Sequence, residues 1–265
     1  MISYALIRNT PFAYADEHHT FKQLLAGLTL NEVLNSKKYV EPEVASVFRV
    51  ETQGPLKGAR SNIKISEDAI SLIIACEVTS KSKYNKSLTH PIWPKGHSGA
   101  TLAFGYDIGQ ASEESIRNAW VKYLPIETID EIVKCAGKVG EQGRICTKTI
   151  KHVTIPWDAA NSQFRFYLPY VIAQTASAFD NFEHLSPDSR GALVSLVYNR
   201  GADTSLTKRR EEMYNIGELM ASMKFSEIPK QIRSMKRLWP GADQKGLIKR
   251  RELEATLFEI GMVKK

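Results

Sequence analysis

The chain has 265 residues, 43% hydrophobic and 25% charged, a globular composition with room for one or two domains that excludes wholesale disorder, collagen-like repeats and a disulfide-built miniprotein. Its longest apolar run, AISLIIAC at 69–76, is far short of the ~20 residues that span a bilayer, so no membrane insertion is read. The net charge is +7, and residues 200–265 hold 15 basic against 9 acidic side chains, an excess that suits an anionic polymer: nucleic acid, a membrane surface or bacterial wall.

Residues 1–60 read as a small β-rich module. YALI, the stretch around LTLNEVL, and VASVFRVE alternate or carry β-branched residues. Turn chemistry separates them at Asn9-Thr10-Pro11, Ala26-Gly27, Pro42 and Gln53-Gly54-Pro55. Phe21 to Leu25 has room for one helical turn at most. A domain boundary falls near residue 60, in GPLKGARSN.

From residue 61 the texture is helical. Ser66, Ser112 and Ser186 each precede an acidic first turn, and Pro187 occupies the first helical position after Ser186. The last of these helices runs through GALVSLVYN and stops at Gly201. Further helices are read over 158–178, broken or kinked at Pro169, and near 209–223, 226–237 and 246–259. One strand-like stretch, TLAFGYDIG, lies between the first two helices.

The chemistry-bearing residues sit at that junction. Ile70, Ile73, Ile74 and Glu77 share one helical face. Glu77 thus prolongs an apolar stripe, where lost hydration favours a neutral carboxylic acid, the form a general acid needs. Along TLAFGYDI, read as a strand, Leu102, Phe104, Tyr106 and Ile108 form a large face. Thr101, Ala103, Gly105 and Asp107 form a small, polar one. The three cysteines, Cys76, Cys135 and Cys146, have neither C-x-x-C nor zinc spacing. A Cys135–Cys146 bridge is left open, because spacing carries no geometry.

A helix ending in Glu77, a loop, and the Gly-containing TLAFGYDIG resemble the lysozyme-like muramidases of phage type, and among them most the pesticin-like catalytic domains. LVSLVYNRG at 193–201, RREEMYNI at 209–216, SMKRLW at 234–239 and GLIKRRELEATLF at 246–258 extend the resemblance over roughly residues 64–260. It implies an α+β, mainly helical, lysozyme-like fold over 61–265 with a small β subdomain. It also implies an N-acetylmuramidase that cuts the β-1,4 bond between N-acetylmuramic acid and N-acetylglucosamine, without cofactor or metal. By that resemblance Glu77 is the catalytic acid, and Thr101 and Asp107 are its partners across the cleft, placing a water. Residues 1–60 loosely resemble a bacterial SH3-like module.

Secondary candidates surround this set. Trp93 and His97 lie in HPIWPKGHSGA at 90–100 and would line the rim. Asn199 and Arg200 would reach the sugar or cap their helix. Arg250 and Arg251 would hold Glu77 or contact substrate carboxylates. The Thr101 hydroxyl beside Asp107 favours an inverting reaction, with the two carboxyl groups roughly 6.5–9.5 Å apart.

Partners read from the sequence are peptidoglycan glycan strands and, for an effector, a cognate immunity protein. No nucleic-acid reader motif is seen. The N-terminus shows no Sec-type signal, so the expectation is synthesis in the cytoplasm and action in the periplasm or on the wall after delivery by another route. A lytic transglycosylase and a non-catalytic binder of wall or nucleic acid are the competing readings.

Overall fold

The computed structural model describes residues 11–37 and 60–263. It is mainly helical, with one two-stranded sheet among the described residues, and so has the expected α+β, mainly helical class. Two compact units divide the chain. One takes Met1–Glu32, Asn62–Cys76 and Val171–Lys265, and the other Val33–Ser61 and Glu77–Tyr170. Among the described residues before 60, those up to Glu32 fall in the first unit and those from Val33 in the second.

The β-rich reading of the N-terminal region is corrected where it is described. Pro11–Ala26 is a helix, α1, and Leu30–Ser36 is a second, α2. Pro11 opens a helix instead of a turn, since its missing N–H costs nothing at the first helical position. Gly27 ends that helix, its N–H bonded to the Gln23 carbonyl at 3.0 Å. LTLNEVL alternates, but it contains T-x-x-E. The Thr29 N–H donates to Glu32 Oε2 at 3.0 Å, and the Glu32 N–H to Thr29 Oγ1 at 3.3 Å. That reciprocal cap starts α2. YALI, VASVFRVE and the GPLKG turn lie outside the described residues.

The helices read from cap signals are present. Ser66 receives the Ala69 N–H at 3.1 Å and opens α3, Glu67–Val78. The helix α4, Lys81–Ser87, follows, capped by Ser80. Ser112 caps α5, Glu113–Trp120, and is followed by α6, Ile126–Val133, and α7, Gly140–Thr149. The helix α8 runs Trp157–Ala178 as one element and is not broken at Pro169. Ser186 caps α9, Pro187–Arg200, which stops at Gly201 with φ 77°. Among the described residues three more α-helices follow: α10, Glu211–Ala221, α11, Ile228–Ser234, and α12, Lys245–Val263.

In the first unit α12 is the hub, packed by α9, α11 and α1. It is buried nearly all round, from Leu247 through Leu253, Leu257 and Phe258 to Ile260. Its buried surface is not all apolar, since Arg250, Arg251 and Glu254 are buried on it and pair with one another. In the second unit an aromatic cluster forms the centre. The Phe104 ring lies 4.9 Å from Trp157, 5.6 Å from Tyr84 and 5.7 Å from Phe164. The Tyr84 hydroxyl donates to the Ile155 carbonyl at 2.9 Å, so its one polar atom is satisfied within that core.

Candidate functional site

TLAFGYDI is not a single strand. Thr101–Leu102 (β1) and Tyr106–Asp107 (β2) pair antiparallel, Thr101 opposite Asp107 and Leu102 opposite Tyr106. The turn between them has positive φ at Ala103 (50°) and at Gly105 (94°). This tight reversal sends Phe104 into the aromatic core, where it is 2% exposed. Leu102 and Ile108 are buried too, so the expected large face is apolar and inward although the backbone turns through it. Thr101 and Asp107, as register partners, share one face of the hairpin.

Asp107 is held by backbone donors. The Gly99 N–H reaches its Oδ1 and Oδ2 at 3.1 and 3.0 Å, and the Gly109 N–H reaches Oδ1 at 2.9 Å. Asp107 also caps a short 3-10 turn, Ile108–Gln110. Burial pushes its carboxyl up to about 6, although the N–H groups of Gly99, Gly109 and Gln110 pull the other way. A carboxyl poised there gains and loses a proton near neutral pH.

Glu77 is buried, as its place on the stripe implies. Its setting is an ion pair, however, and not a purely apolar pocket. Lys37, just past the end of α2, donates from Nζ to Glu77 Oε2 at 2.7 Å, with both side chains nearly closed off from water. Glu77 also packs on the hairpin turn. A Cβ built on Gly105 would lie 2.9 Å from Glu77 Oε2 and 3.6 Å from Lys37 Nζ. Position 105 therefore needs glycine twice, for its positive φ and for this close approach.

The structure thus gathers Glu77, Thr101 and Asp107 on one hairpin: Glu77 against its turn, the other two across its strands. The Thr101 hydroxyl is 3.4 Å from the Gly99 carbonyl, a long contact for such a donor. Trp93 is half-buried and donates its indole N–H to the Ser98 carbonyl at 2.9 Å, fixing the loop that supplies Gly99. His97 is exposed, and its backbone carbonyl accepts from Gln110 Nε2 at 3.0 Å.

The remaining candidates belong to the other unit. Asn199 is half-buried near the end of α9. Arg200 is 1% exposed, donates to the Arg209 carbonyl at 2.7 Å and stacks 5.5 Å from the Trp239 ring. Arg250 and Arg251 are buried and paired with Glu254 on their own helix, at 3.2 and 2.7 Å. Three and four residues apart on one helix, they find an acid locally, and Lys37 is a cation paired with Glu77. Sequence reasoning also missed the Gly99 and Gly109 donors, and it left open the Cys135–Cys146 disulfide that the structure forms. Only the glycine spacing in GHSGA and FGYDIG hinted at the former. No family model matches the chain, and no curated protein matches it.

Proposed function

We propose that the protein is an N-acetylmuramidase acting on peptidoglycan, with Glu77 as general acid and Asp107 as the carboxylate that receives a proton from the attacking water. The observation that carries this reading is the seating of two carboxylates on one hairpin, Glu77 at its turn and Asp107 in its second strand beside Thr101. Glycoside hydrolysis needs two such groups with different tasks. Protonated Glu77 would give its proton to the O4 of N-acetylglucosamine as the bond to C1 of N-acetylmuramic acid breaks. Water would add to that C1 and pass a proton to Asp107, and solvent exchange would return both groups to their starting states. Lys37 must leave Glu77 before the acid can act.

The Cys135–Cys146 disulfide supports action outside the reducing cytoplasm, where peptidoglycan lies. The lysozyme-like fold, the delivery of the chain to the wall and a cognate immunity protein belong to the same proposal. A second reading, a lytic transglycosylase, is favoured by one observation: the donors on Asp107 are backbone N–H groups of its own loops. In that case Asp107 is a loop cap, and Glu77 works alone with the muramyl 6-hydroxyl as nucleophile.

Digestion of purified wall by wild type, Glu77→Gln and Asp107→Asn, with mass analysis of products, decides among these. Reducing muramyl ends released by wild type and lost in both variants support the hydrolase. Their early α-anomer supports inversion. Wild-type 1,6-anhydro ends support the transglycosylase. Full activity in a folded Glu77→Gln protein overturns both.

A further inference from the structure

We propose that the Cys135–Cys146 disulfide is a positioning device for Asp107, so that wall cleavage switches on only once this bond has formed. The proposal rests on the reading of Asp107 as the water-holding carboxylate. It starts from the two glycines that donate to that carboxylate. A Cβ built on Gly109 would lie 2.3 Å from the Lys138 carbonyl oxygen, and one on Gly99 would lie 2.6 Å from the same atom. A Cβ on Gly143 would lie 2.9 Å from it and 2.8 Å from the Gly99 Cα. The Lys138 carbonyl therefore sits in a notch that three missing side chains leave open.

Lys138 and Gly143 both lie between the two cysteines, and their neighbours bind the same strip of chain. The Gly140 N–H donates to the Ser98 carbonyl at 3.0 Å, and the Gly137 N–H to the Ala111 carbonyl at 3.2 Å. Val139 pairs with Gly99 as an isolated bridge. The backing of the Asp107 donors is thus the closed loop of a disulfide with a sequence separation of 11. Cutting that loop frees the backing segment to sample other conformations. The Gly99 and Gly109 N–H groups then lose the surface that aims them.

Formation of the bond is thiol–disulfide exchange with a disulfide of the surroundings, whether a protein oxidant or a small-molecule disulfide. One cysteine thiolate attacks it and expels a thiolate, and the second cysteine thiolate resolves the mixed disulfide. Two thiols of this chain lose two protons and two electrons, and the oxidant becomes a dithiol or two thiols. Cys135 is 0% and Cys146 6% exposed, so the finished bond is shielded from attack by reductant. The chain would be inert where it is made and would keep its activity once oxidised.

The test compares the full-length oxidised protein with a Cys135→Ala/Cys146→Ala variant. Residue-resolved amide exchange and steady-state cleavage of soluble wall polymer are both measured. The expected result is exchange at the Gly99 and Gly109 N–H faster by about tenfold or more, with protection along Lys245–Val263 unchanged. In the same variant kcat falls by about tenfold or more while KM stays within about twofold. Unchanged exchange at Gly99 and Gly109 overturns the proposal, and so does faster exchange with an unchanged kcat. If Lys245–Val263 also loses protection, the wild type is poised in graded dithiol–disulfide buffers instead. A common midpoint for Gly109 exchange and activity supports the proposal, and separate midpoints overturn it. Failure of the underlying site reading shows itself differently, as retained activity in Asp107→Asn.

Discussion

Glu254 and Asp107 are both carboxylates drawn out of water, one in each compact unit, and they are kept there by different means. Glu254 is 0% exposed and surrounded by charge. Its Oε1 accepts from Ser195 Oγ at 2.7 Å and Arg251 Nη2 at 2.8 Å, with Arg250 Nε at 3.2 Å. Burial and the neighbouring cations Arg250 and Arg200 bring the Arg251 guanidinium down to about 10, with Glu254 opposing them, so Arg251 is still charged at neutral pH. Asp107 is held by backbone N–H dipoles, and its carboxyl rises to about 6. Full charges surround Glu254, while Asp107 is half-buried and held by dipoles, which leave its proton state adjustable. The first arrangement makes a strut and the second a group able to do chemistry.

Removing the strut should have the largest effect. Glu254→Gln removes a buried carboxylate from beside two guanidiniums and is expected to cost about 3–5 kcal/mol of unfolding free energy, read by urea denaturation. Activity per folded molecule should be unaffected. Asp107→Asn should invert that pattern, with turnover on wall polymer falling about 10²–10⁴-fold and stability falling by about 1–3 kcal/mol. Equal stability losses in the two variants would erase the distinction between strut and reagent.

The pH dependence of stability sharpens the same contrast. The Asp107 carboxyl is raised from its ordinary 3.8 to about 6 on folding, so between those values the folded state holds more protons than the unfolded state. Its contribution therefore declines as pH rises through this window. Wild type should lose stability relative to Asp107→Asn between pH 4 and 6 and run parallel to it above pH 7. Urea midpoints across that range check the sign, and parallel curves throughout would contradict it.

Smaller effects are expected at two glycines. Gly109→Ala forces a methyl group against the Lys138 carbonyl and should cost about 1–3 kcal/mol. Gly217, within α10, has nothing within 4 Å of a built Cβ. Gly217→Ala should raise stability by about 0.5–1 kcal/mol by removing backbone freedom from the unfolded chain. Thermal melts of the pair report whether the notch behind Asp107 is as tight as its distances imply.

Whatever depended on neighbours a few residues apart was legible in the sequence. Ser66, Ser112 and Ser186 announced their helices because a cap hydrogen bond spans three residues. The inward burial of Leu102, Phe104 and Ile108 was legible because side-chain alternation survives even where the strand turns. The T-x-x-E at Thr29 and Glu32 was equally local and was outweighed by the alternation around it, which cost the reading of α2. Lys37 at Glu77 and the Lys138 carbonyl behind Gly99 were illegible, and the Cys135–Cys146 bond stayed open, for another reason. Each joins segments that only the folded chain brings together, and residue type alone does not choose among the available partners.

Lys37 reaches Glu77 from 40 residues upstream, which makes it a tethered competitor for the carboxylate. A partner held in the same fold competes intramolecularly, whatever the concentration of protein. For the proposed reaction, a dilute soluble glycan fragment would have to outbid that ammonium alone and would usually lose. An intact wall presents many glycosidic bonds at once to an enzyme already lying on it, so its local concentration matches the tether. The ion pair would thus make the enzyme discriminate by the physical state of its substrate, sparing loose oligosaccharides and cutting the mesh.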